Sequence, residues 1–81
     1  MAPPARHPST TSLLRYFEYA HLPAHLQEIS RPVGELAEQM ADQLPGGPEL
    51  TTGLRKLLEA KDCFVRAALD KQTPTASVDG L

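Results

Sequence analysis

Four consecutive residues, Pro45-Gly46-Gly47-Pro48, interrupt the chain where no helix can continue. Each proline lacks an amide donor, and each glycine loses more backbone freedom on ordering than any other residue. The stretches on both sides carry apolar residues at steps of three and four, the period of a helix with one buried face. Upstream, Pro23 to Leu44 places Leu26, Ile29, Val33, Leu36, Met40 and Leu44 within an arc of about 80°. Glu28, Arg31, Glu35, Glu38 and Asp42 occupy the far side, as an acidic solvated back. Downstream, Pro48 suits a first helical turn and Glu49 lies beside the positive helix end. From there Leu50, Leu54, Leu57, Leu58, Phe64, Val65, Ala68 and Leu69 spread over about 140°. So short a connection turns the second helix back on the first.

The expected fold is therefore all-α, with a short N-terminal helix or strap followed by an antiparallel hairpin of two long helices. The strap is the segment SLLRYFEYAHL, which holds Tyr16, Phe17 and Tyr19 and ends at the break of Pro23. Pro32 falls inside the first long pattern, where it removes a donor and pushes Arg31 away from helical angles. The apolar phase is kept through it, which predicts a kink near Pro32 in a continuing helix, with a break into two helices as the alternative. Gly34 softens the same place.

Residues 1–11 contain three prolines among small and polar neighbours, and 71–81 (KQTPTASVDGL) hold almost no large apolar side chain, so both read as disordered tails around a domain at 12–70. A domain of that size hides only about 60% of its unfolded surface and is marginal alone. Cys63 is the single cysteine, which leaves no disulfide within the chain. Self-association is the remaining source of stability, and one partner helix cannot cover the wide arc of the last helix. Leu54, Leu58, Val65 and Leu69 are the expected oligomer interface.

No apolar run approaches the ~20 residues that cross a bilayer, and the start MAPPARHPSTT has no stretch like a signal peptide, so the cytoplasm is the expected location. Eight Lys and Arg against ten Asp and Glu give a net charge of −2 with no basic run, which argues against DNA as a partner. A small anion needs only two or three placed cations and is compatible with that balance. His21 and His25 are four apart, but Pro23 lies between them and no third ligand is near, so no metal is expected. Cys63 has no obvious histidine partner and the acids are spread along solvated faces, which supplies no catalytic set and implies no cofactor.

Two groups stand out against this background. Tyr16, Phe17 and Tyr19 alternate with Arg15 and His21, an arrangement able to stack a nucleobase and hold a phosphate. The same rings could simply close the open end of the hairpin. Lys61 lies near the centre of the apolar arc of the last helix. Either its stem packs while the head snorkels out or pairs with a carboxylate such as Asp62 or Glu59 of a neighbouring chain, or it meets the anionic part of a ligand held between protomers.

The order of motifs also resembles a known family. Phe17-Glu18-Tyr19 forms an F-x-Y motif, Pro23 opens a kinked helix, Leu44 to Pro48 make a Pro-rich turn, and the last helix contains Leu54-Arg55-Lys56-Leu57-Leu58-Glu59-Ala60 and Arg66-Ala67-Ala68-Leu69. This is similar to the phage anti-CBASS proteins of the second described type, small helical sponges with an F-x-Y-H-x-P start and a K-L-E-E-A…N-A-A-I final helix. Ala20 stands where that motif has histidine, with His21 displaced by one, and Arg31 is the nearest cation to the family's ligand-binding lysine. The resemblance implies a hexamer that sequesters cyclic di- and trinucleotides so that CBASS effectors are never activated, without breaking a bond. It implies that Tyr19 stacks on a base while basic residues of neighbouring chains hold the phosphates. His21, Arg31, Lys61, Tyr16 and Arg15 complete the expected ligand set. The alternative is a helical oligomerisation or adaptor protein with no small ligand.

Overall fold

In a computed structural model, which describes residues 7–72, the chain forms three helices: α1 (Pro8–Arg15), α2 (Ala24–Gln43) and α3 (Pro48–Gln72). No strand occurs among the described residues. The first helix opens at Pro8, so residues 8–11 belong to the domain instead of the expected tail, and α3 runs two residues beyond Asp70. The rest of the two expected tails, 1–6 and 73–81, lies outside the described residues.

The early start of α1 has a local cause. Pro8 occupies the first turn, where its missing amide costs nothing, and the His7 ring accepts a hydrogen bond from the Ser9 amide at Nδ1, 3.1 Å away. Thr10, Leu13 and Leu14 then fall on one face and are buried. A hydroxyl contact of 3.3 Å between Ser9 Oγ and Thr51 Oγ1 joins this end of α1 to the first turns of α3. The helix stops in a tight turn, with the Tyr16 and Phe17 amides donating to the Leu13 and Leu14 carbonyls. That turn drops Phe17 into the core.

Helix α2 continues through Pro32, as the preserved apolar phase predicts. The proline is exposed and costs the Glu28 carbonyl its ordinary donor on the outer side of the helix. The buried face of α2, however, is not the expected stripe. Leu36 and Leu44 are exposed, and Ile29, Val33 and Met40 are only half-buried. Buried instead are Leu26, Ser30, Gly34, Ala37 and Ala41, an adjacent arc of about 80° that shares only Leu26 with the predicted one. The reason is size. A stripe of small residues lets the α1 segment approach closely enough for Phe17 and Leu13 to fill the space above it, whereas the larger side chains are left along the edge.

The core joins all three helices through Leu13, Leu14, Phe17, Ala37, Ala41, Leu50 and Leu54, with Val33, Met40, Leu57 and Leu58 packed around it. Each large side chain of this set contributes about 1.5–3 kcal/mol by leaving water. The α3 members of this set, Leu50, Leu54, Leu57 and Leu58, all lie in the first half of that helix. Further along, Phe64 and Leu69 are 52% and 44% exposed. Between α2 and α3, Gly47 takes a φ of 154°, a conformation that only glycine adopts cheaply, and its carbonyl receives the Thr51 amide as α3 begins.

Candidate functional site

Tyr19 owes its position to three devices. The Leu22 amide donates to the Tyr19 carbonyl at 3.0 Å, closing a turn between the strap and α2. The Gln27 side chain reaches back from α2 to the Leu22 and Ala20 carbonyls, at 2.8 and 3.3 Å, and anchors that turn. Gly34 then provides the seat. A Cβ there would lie 3.0 Å from the Phe17 carbonyl oxygen and 3.3 Å from Cδ2 of the Tyr19 ring, so the ring rests where a side chain would otherwise stand.

Arg31, one helical turn before Gly34, places its guanidinium carbon 5.6 Å from the centroid of the Tyr19 ring. An exposed pair of this kind is worth about 0.5–1 kcal/mol. Two of the expected ligand residues, one aromatic and one cationic, are thereby brought together. Beside them a cleft of about 400 Å³ runs along α2, lined by Tyr19, Gly34, Glu35, Glu38, Gln39, Asp42 and Gln43. Its volume falls in the range of small-ligand sites. Its charge is opposite to that of a phosphate pocket, since the lining holds three carboxylates and no cation.

The other expected ligand residues lie elsewhere. Tyr16 is 65% exposed at the end of α1, and Arg15 and His21 are exposed as well; none of the three lines the cleft. Phe17 is a core residue, the packing role that its ring could equally have had. Lys61 pairs with Asp62 of the same chain, Nζ to Oδ1 at 3.0 Å, with its side chain 14% exposed, so its stem packs and its head finds a carboxylate one residue away. Cys63 is exposed and receives Arg66 Nη2 at 3.4 Å. Among the described residues no three His, Cys, Asp or Glu side chains group as metal ligands, and no helix is long and apolar enough to cross a membrane.

Of the four expected interface residues, Leu54 is used inside the chain's own core at 2% exposed and has no surface to offer a second copy. Leu58 and Val65 are half-buried and Leu69 is open. A second, apolar groove of about 490 Å³ runs past Leu69's end of α3, formed by Ile29, Pro32 and Val33 of α2 with Phe64, Ala67 and Ala68, between the charges of Glu28 and Lys71.

Sequence reasoning missed Gly34 as the seat of Tyr19 and assigned Glu35, Glu38 and Asp42 to a plain solvated back. The steps of three from Glu35 to Glu38 and four from Glu38 to Asp42 were the available signal, because they line the three carboxylates up along one edge of α2. No protein-family model matches the chain, and neither a curated protein nor a solved structure does.

Proposed function

We propose that this chain is a non-catalytic binding protein that sequesters cyclic di- or trinucleotide messengers, antagonising CBASS-type antiphage signalling. The observation that carries the reading is the Arg31 guanidinium over the Tyr19 ring at the mouth of a cleft. A planar cation already occupies the ring face that a nucleobase would take. Stacking a base on an aromatic ring is worth about 1–3 kcal/mol, more than the exposed cation pair it replaces. Displaced from the ring, Arg31 is within reach of the phosphate attached to that base, where a guanidinium binds best.

The acidic lining of the cleft keeps phosphates at its rim. Further cations must then come from another copy of the chain. In this reading α2 and α3 form an antiparallel hairpin, and hairpins pool the apolar surface around Phe64 and Leu69 into a homo-oligomer, a hexamer by the family resemblance. The second reading, a helical oligomerisation or adaptor protein without a small ligand, is favoured by that same exposed apolar groove, which serves either function.

Thermal melting with a panel of cyclic dinucleotides and trinucleotides separates the two. A ligand at 100 times its dissociation constant adds about 2.7 kcal/mol, a shift of several degrees for a domain this small. A rise in melting temperature with at least one member is expected. Unchanged melting with every member rejects the sponge and leaves the adaptor.

A further inference from the structure

We propose that the cleft selects ligands containing guanine, with Glu35 reading the base stacked on Tyr19. The proposal rests on the reading of Tyr19 as a base platform. It starts from a mismatch: an anionic ligand is assigned to a cleft whose charged side chains are all carboxylates. The mismatch disappears if only a base edge enters the cleft and the phosphates stay beside Arg31, on the rim.

Ionised carboxylates can only accept hydrogen bonds, so the edge that enters must donate them. Among the four RNA bases, only guanine presents two adjacent donors on its Watson–Crick edge, N1–H and N2–H. Two parallel donors match the two oxygens of one carboxylate, giving a bidentate, charge-assisted pair. Adenine and cytosine offer one amino group next to a ring nitrogen that is itself an acceptor and faces the carboxylate unfavourably. Uracil offers one imino donor between two carbonyls.

Glu35 is the carboxylate in the right place. It lines the cleft together with Tyr19 and with Gly34, the seat of the ring, although one residue on it points about 100° around α2 from that glycine. A base stacked on the ring with its edge turned into the cleft would meet this side chain on the wall. Glu38 and Asp42, further along the cleft, already have interactions of their own.

The test compares cyclic di-GMP with cyclic di-AMP, which share ring size and phosphates and differ only in the base. Both are titrated into the full chain by calorimetry, alongside Glu35→Gln, an exposed substitution whose folding is checked by circular dichroism. The expected result is a preference of at least about tenfold for the guanine ligand, lost in Glu35→Gln because the amide turns a donor toward N1–H. Equal affinities, or a preference that survives in Glu35→Gln, overturn the guanine assignment while the platform reading stands. Failure of both ligands and of the wider panel to bind overturns the platform as well.

Discussion

Tyr19 and Gly34 act as one unit, because the ring occupies the volume that any side chain at position 34 would need. Tyr19→Ala removes the ring and leaves the core untouched, so ligand binding should vanish while the molar mass in solution stays that of the wild type. Gly34→Ala is subtler. Alanine improves helix propensity by about 1 kcal/mol, yet its Cβ meets the Phe17 carbonyl, a backbone atom that cannot rotate away. The strap should shift, and affinity should fall although the helix content measured by circular dichroism does not. A different residue-scale consequence follows from Thr10, whose hydroxyl is buried without a hydrogen-bond partner. Valine has nearly the same shape and no polar atom to desolvate, so Thr10→Val should raise stability in urea by about 1 kcal/mol. A loss of stability would mean that the hydroxyl has a partner.

At the scale of elements, the connection between α2 and α3 depends on Gly47, whose φ of 154° strains any other residue. Gly47→Ala should cost about 1–3 kcal/mol, read as a lower midpoint in denaturant. This turn was legible in the sequence, as were α2, α3 and the passage of α2 through Pro32, because glycine, proline and a helical period are strong local signals. The face of α2 was not. Leu36 and Leu44 have the right period for burial, but which side of a helix is covered depends on what packs there, and Ser30, Gly34, Ala37 and Ala41 attract a neighbour by being small. The start of α1 was hidden for a related reason: a proline-rich opening resembles a tail until Thr10, Leu13 and Leu14 find a surface to cover. The candidate site was half legible. Tyr19 meets Arg31, a residue that entered the expected set only through the family resemblance, and not Arg15 or His21, the polar neighbours its own segment suggested, whereas the acidic edge of α2 came to line a cleft only when the strap laid a ring beside it.

The whole molecule leaves apolar surface uncovered at both ends of α3. Leu50 and Leu54 are buried near the turn from α2, but Leu44 beside them is 48% exposed, and further along α3 Phe64 and Leu69 are exposed as well. A domain this small gains from covering such a patch with copies of itself. Light scattering should give a molar mass several times the 8.8 kDa of the chain, and Val65→Glu, which puts a charge among these side chains, should return it to that of one chain. Under the proposed function ligand binding should fail in the same variant, because a second copy would have to supply the cations that complete the site.

The claim that the chain withholds a messenger, rather than transforming it or ignoring it, is tested most directly by recovery. A cyclic dinucleotide mixed with excess protein and passed through a membrane that retains the protein should be depleted from the filtrate, then reappear unchanged, by chromatography, once the protein is denatured by heat. Ligand that passes freely from the start, or returns in a cleaved form, contradicts the account.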